Sequence, residues 1–173
     1  MSLPESQPAS EVIIREFQSG DEAAFRQLNE EWITHYFTLE AKDRKSFDDP
    51  QKTILAPGGR IFFAIADGRH LGCCALLRIG PADAGAEHAA EYEVAKMAVT
   101  PHAQGSGVGR KLLQATVDAA RLAGAVRLYL ETNHTLTPAI HLYESIGFKH
   151  LPPERITPSP YQRADVFMEM IMT

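Results

Sequence analysis

YEVAKMAVTPHAQGSGVGRKLLQATVDAARLAG, residues 92–124, passes from a strand pattern through a glycine-rich turn into an amphipathic helix. The strand, 92–100, is stopped by Pro101. In the helix Val108, Leu112, Ala115, Ala119 and Leu122 form one apolar stripe, and Gly124 ends it. A glycine-rich turn at a helix N-terminus exposes main-chain amides, and the helix dipole adds positive potential. Gln104, Gly105, Ser106, Gly107, Val108 and Gly109 therefore read as a phosphate or pyrophosphate cradle, with Arg110 and Lys111 beside it. Spacing excludes two well-known alternatives. The nucleoside-triphosphate loop and the dinucleotide fingerprint each need a glycine where Arg110 stands.

Charge placement agrees. Between Val94 and Leu130, five bases face one acid, a net +4, so the rest of a chain of net charge −5 carries −9. A positive segment centred on a helix start, in an otherwise acidic chain, suits a multiply phosphorylated ligand.

Working outward, EVIIREF (11–17) reads as a strand and 21–37 as a helix. The charged stretch 38–50 has no assigned element, and a short helix is expected at about 49–56. Two apolar runs flank Asp67-Gly68, a pair suited to a tight hairpin turn with positive φ at both positions. Residues 80–90 read as a loop, 125–131 as a strand, and 137–146 as a helix with Thr137 as its N-cap and Gly147 as its stop. FKHL and ADVFMEMIM (164–172) read as closing strands around a proline-rich loop, 152–163. Hairpin-linked strands followed by strand–helix–strand units predict an α/β fold with one mixed sheet, a single domain over 11–173 after a mobile tail, 1–10.

Composition narrows the class. With 45% hydrophobic and 23% charged residues, the 173-residue chain is globular, not disordered. Its acidity argues against nucleic acid as partner. The longest apolar run, Ile61–Ala66, is too short to span a membrane, and MSLPESQPAS lacks the pattern of a secretory signal. Cys73 and Cys74 are adjacent and read as core residues in a reducing, cytoplasmic setting. The seven histidines form no HExxH pattern, so no metal is expected.

Two blocks carry a family resemblance. Val99-Thr100-Pro101 precedes Gln104-Gly105-Ser106-Gly107-Val108-Gly109. Downstream, Glu131-Thr132-Asn133 leads into Pro138-Ala139-Ile140-His141-Leu142-Tyr143-Glu144-Ser145-Ile146-Gly147-Phe148. The sequence resembles the GNAT superfamily of acetyl-CoA-dependent N-acetyltransferases. That resemblance implies acetyl-CoA as co-substrate, with its pyrophosphate on the 104–109 amides. It also implies a pantetheine arm paired to the main chain around Met97, Ala98 and Val99, and Asn133 at the cysteamine end. The strands near residues 99 and 130 are expected to splay and admit the thioester.

Acetyl transfer to an amine needs a base, oxyanion stabilisation, and an acid for the leaving thiolate. By resemblance Tyr143 is the acid. Glu93 is the base candidate, Glu91 the second choice, and water alone the third. On an unbulged strand Glu91, Glu93, Ala95, Met97 and Val99 share one face. Glu31, Tyr36 and Glu40 come from an acidic, aromatic segment suited to an amine, and are expected near the acceptor. The reading is direct transfer to a small amine such as an amino acid or polyamine. The alternatives are a non-catalytic acyl-CoA sensor, a longer-chain acyltransferase and an O-acyltransferase. Family members often pair, so a homodimer is one implied assembly.

Overall fold

The computed structural model describes residues 10–80 and 89–173. Seven strands form one sheet in the order β1-β2-β3-β4-β5-β7-β6. They are β1 (Ile13–Glu16), β2 (Arg60–Ala66), β3 (Arg69–Ile79), β4 (Ala90–Val99), β5 (Ala125–Thr132), β6 (Lys149–His150) and β7 (Val166–Ile171). Every neighbouring pair is antiparallel except β4 with β5. A parallel pair needs a crossover, supplied by α3 (Val108–Leu122). The expected hairpin forms, with Asp67 at φ +50° and Gly68 at φ +71°.

Alternation along the strands sorts side chains into two cores. Ile61, Phe63, Cys73 and Ala75 join Phe25, Leu28 and Ile33 of α1 (Glu22–Tyr36) and Phe47 of α2 (Ala41–Asp48). On the other face Phe62, Cys74 and Leu76 join Leu112, Leu113, Val117 and Ala120 of α3, together with Tyr143 of α4 (Thr137–Ile146). The adjacent cysteines thus face opposite layers, and both are unpaired. Burial pushes the Cys74 thiol up to about 12 and Cys73 higher still, which suits inert core groups.

Four local readings change. The stretch 38–50 contains α2, whose only buried apolar side chain is Phe47. That is too little for a periodic signal, and the helix is fixed by a capping box between Glu40 and Asp43. The helix expected at 49–56 is a single π-type turn, Gln51–Leu55. Helix α4 starts one residue early, with Leu136 at the N-cap, and Thr137 makes no capping bond. The apolar end strand β7 lies inside the sheet, with Phe167 and Met168 buried and Ile171 exposed. Residues 1–9 of the expected tail and 81–88 of the expected loop lie outside the described residues.

A β-bulge changes a further reading. The β3–β4 register shifts between Cys73–Ala98 and Ala75–Ala95, and Lys96 takes φ +54°. Before it, Tyr92 and Val94 face the α3 layer. After it, Met97 and Val99 do, while Ala98 turns to α1. Glu93 therefore does not share a face with Met97 and Val99, because the extra residue reverses the alternation.

At the start of α1, Asp21 accepts hydrogen bonds from both Arg15 nitrogens (2.7 and 3.1 Å) and from the Gln18 amide (2.7 Å). These bonds, Arg15 foremost, lower its carboxyl to about 2. A folded-state value below the ordinary ~3.9 adds stability that is present above pH ~4 and lost as pH falls towards 2. Asp21→Asn should lower unfolding free energy by about 2 kcal/mol at pH 7. In urea denaturation, the gap from wild type should shrink between pH 4 and pH 2.

Candidate active site

The β4–β5 ladder runs from Ala90–Ala125 to Glu93–Tyr129. Beyond it β4 continues to Val99 and β5 to Thr132 with no pairing between them. A cavity of about 420 Å³ occupies this opening. On the α3 side it is lined by Gln104, Gly105, Gly109, Leu142 and Tyr143, and on the α1 side by Asn29, Trp32, Tyr36, Tyr161 and Arg163. The opening therefore joins the two faces of the sheet.

The glycine turn is shaped as expected. Gly105 and Gly107 have φ +80° and +86°, and open space lies where each Cβ would project. Gly107 caps α3, so the amides of Val108, Gly109 and Arg110 leave the helix without intrahelical acceptors. No acid occupies the first turn, and Arg110 and Lys111 are exposed there. Arg110 also donates to Ser145 Oγ (2.9 Å). These features fit the pyrophosphate of acetyl-CoA.

The Thr100 amide donates to Leu71 O on β3. Alternate residues point the other way, so Met97 and Val99 present main-chain groups to the opening and Ala98 faces β3. Val99 O already accepts from Gln104 Nε2 (3.1 Å). Asn133 lines the cavity, but its amide is employed: Nδ2 donates to Arg163 O (2.7 Å), and Oδ1 accepts from Thr135 N (2.9 Å). It joins the end of β5 to the segment before β7.

Glu93 and Tyr143 both border the cavity. Burial first, then the neighbouring Glu131 carboxylate, raises Glu93 to about 7, partly offset by Lys96. Glu91 is off the cavity and lies 3.7 Å from Arg127. The Tyr143 ring is buried and packs edge-on against Phe148. Burial keeps its phenol protonated well above the ordinary range.

The three acceptor candidates separate. Tyr36 lines the cavity and packs at a tilt against Trp32, ring centroids 5.1 Å apart. Glu31 is exposed, accepts from Gln27 and borders a smaller pocket beside Thr100 and Pro101. Glu40 caps α2 and accepts from Arg163 Nη1 (3.0 Å). Neither carboxylate is part of the main lining.

Several residues there had no local signal. Asp43 is fully buried and takes both Arg163 nitrogens (2.8 and 2.6 Å) and the Glu40 amide (2.9 Å), with Lys96 at 3.6 Å. Burial alone would raise its carboxyl, but Arg163 overcomes that and holds it below the ordinary range. Lys96 Nζ donates to Tyr161 Oη (3.1 Å) and sits over the Phe47 and Tyr161 rings. These contacts draw the segment before β7 against α2 and make the outer wall of the cavity. Arg163 is 120 residues from Asp43, so no sequence spacing links them. A lysine inside an apolar strand was the visible clue to Lys96.

Comparison with known proteins agrees with this geometry. The acetyltransferase (GNAT) family matches residues 22–148, and the chain belongs to that family. It is 31% identical over 157 residues to mycothiol acetyltransferase of Arthrobacter sp. (strain FB24), covering 84% of this chain and 45% of that protein. It is 33% identical over 110 residues to N-alpha-acetyltransferase RimI of Mycobacterium tuberculosis, covering 60% of this chain and 65% of that one. The chain thus spans about half the length of the mycothiol acetyltransferases it matches. A GNAT-family acetyltransferase from Staphylococcus aureus Mu50 superposes with a TM-score of 0.80 at 16% identity, covering 94% of this chain and all of that one. YncA of Salmonella typhimurium, a putative acetyltransferase solved with acetyl-CoA, gives 0.69 at 21% identity, covering 92% and 93%. At these identities the two structures establish the shared fold. Among the described residues no helix is long and apolar enough to cross a membrane, and no cluster of metal-ligating side chains occurs.

Asp43→Asn should leave Arg163 and Lys96 under-neutralised and cost about 3 kcal/mol. Thermal denaturation should show a clear loss of stability, with Asp43→Glu retaining more than Asn.

Proposed function

We propose that this chain transfers acetyl directly from acetyl-CoA to the primary amine of a small molecule, with both bound at once. One observation carries the reading: Glu93 and Tyr143 border a single cavity that joins the glycine turn to the aromatic α1 wall. Acetyl-CoA, when bound, supplies an acyl group already activated as a thioester. The amides of Gly105 and of Gly107 to Arg110 would hold its pyrophosphate, those of Gln104 and Ser106 already donating to Pro101 O and Ala103 O, with Arg110 and Lys111 adding charge. The main chain at Met97 and Val99 guides the arm into the opening.

Glu93, at about 7, is half ionised near neutrality. It accepts a proton from the acceptor's ammonium, directly or through one water, which frees the nitrogen lone pair for attack. Tyr143, protonated throughout this range, donates its phenolic proton to the leaving sulfur as the C–S bond breaks, and the proton released by the attacking nitrogen as the amide forms restores the phenol. No enzyme nucleophile is required, which agrees with the buried, protonated cysteines. The name of the RimI relative, an N-alpha-acetyltransferase, supports nitrogen as the acceptor atom. A reducing cytoplasmic setting suits the two free thiols.

Thiol release from acetyl-CoA across a panel of amines tests the reading. Cofactor binding without turnover of any amine would favour the sensor alternative. The wild-type kcat/KM should rise with pH through about 7 and level off above it, because the base must be deprotonated. Glu93→Gln should lower kcat/KM by about 100-fold and abolish that limb. Tyr143→Phe should lower kcat by about 10- to 100-fold while leaving CoA affinity, measured by calorimetry, within about twofold. Unchanged turnover would remove its acid role.

A further inference from the structure

Four charged side chains line the cavity: Glu93, Lys96, Glu131 and Arg163. The two bases are answered from behind. Arg163 is held by Asp43 and Glu40, and Lys96 lies 3.6 Å from Asp43. The two acids are not matched in this way. Glu131 takes its hydrogen bonds from neutral hydroxyls, Tyr129 Oη (3.0 Å) and Ser159 Oγ (2.6 Å). Glu93 makes no hydrogen bond or ion pair among the described residues. With the bases neutralised, the wall left facing an acceptor is anionic.

The remaining lining is apolar and aromatic. Trp32 lies 5.1 Å from Tyr36 and 6.0 Å from Phe37, and Tyr161 closes the far wall. Tyr129 donates to one Glu131 oxygen and Ser159 to the other, so the carboxylate is fixed from both sides. It is held beside Glu93, close enough to raise it.

We propose that Glu131 is a specificity-determining carboxylate: with Glu93 it selects an acceptor bearing one ammonium on an apolar, aromatic-sized body and no carboxylate. This deepens the acetyl-transfer reading and rests on it. An ammonium gains from both carboxylates and from the π faces around it. An α-amino acid would bring a further negative charge beside the Glu131 carboxylate and the half-ionised Glu93, where the nearby cations are already paired with Asp43 and Glu40. Discrimination thus comes from repulsion as well as attraction.

The test compares three ligands of one shape: 2-phenylethylamine, L-phenylalanine and L-phenylalaninamide. Their binding to the protein saturated with CoA is measured by calorimetry, and their turnover with acetyl-CoA by thiol release. In the wild type the amine and the amide should bind about 10-fold or more tighter than the amino acid. The amide separates charge from size, and it tests the idea even if no variant folds. Glu131→Gln should bring the amine-to-amino-acid ratio below about threefold, mainly through KM. It should also move the lower limb of the pH profile to more acid pH, an effect a purely structural role would not produce. Glu131→Asp should keep the selectivity. Binding of L-phenylalanine as tightly as the amine, no binding of any of the three, or a ratio unmoved in Glu131→Gln would each overturn the proposal. Selective binding without turnover would instead overturn the acetyl-transfer reading and leave this one standing.

Discussion

Everything at the centre of this molecule depends on one residue's backbone. Lys96 stands in the left-handed region in the middle of a central strand, a conformation that costs a branched or long side chain of order 1 kcal/mol or more. The pairing of its ammonium with Asp43 and its contacts with two aromatic rings work against that cost. The extra residue reverses the faces of β4, so Tyr92 and Val94 before it pack on the same layer as Met97 and Val99 after it. Glu93 is released from the face that carries Met97 and Val99 and directed towards the α1 side. The same disruption comes just beyond the point where β4 and β5 stop pairing, and the cavity forms in that opening.

Electrostatics divides the opening. At the glycine turn, free amides, a helix start and two exposed bases favour a polyanion. On the α1 side, two acids remain while the bases are consumed by Asp43 and Glu40. The two ends of the opening therefore differ in electrostatic sign. Burial also shifts the titratable groups that border the cavity. It lifts Glu93 into the neutral range and keeps Tyr143 protonated.

Local chemistry made much of this readable in advance. The Asp67-Gly68 turn, the stripe of α3 and the glycines at 105 and 107 each depend on contacts or dihedrals within a few residues. Such features survive without knowledge of the rest of the chain. Helix α2 was harder, because its sequence AKDRKSFD is held by a capping box and by one buried phenylalanine, not by a stripe. Glu31 and Glu40 suited an amine by type alone. One is spent on the surface of α1, and the other on capping α2 and holding Arg163.

The sequence by itself determined most of the elements in their order, the glycine turn at residues 104–109 and the presence of Glu93 and Tyr143, since these rest on short-range pattern. Only the tertiary structure decided which carboxylates face the cavity. That outcome turns on a one-residue bulge and on pairs such as Arg163 with Asp43, 120 residues apart. A bulge flips every side chain that follows it, and a distant ion pair leaves no spacing behind. Both are settled by packing across the fold, where burial and charge are balanced between segments that no local pattern connects.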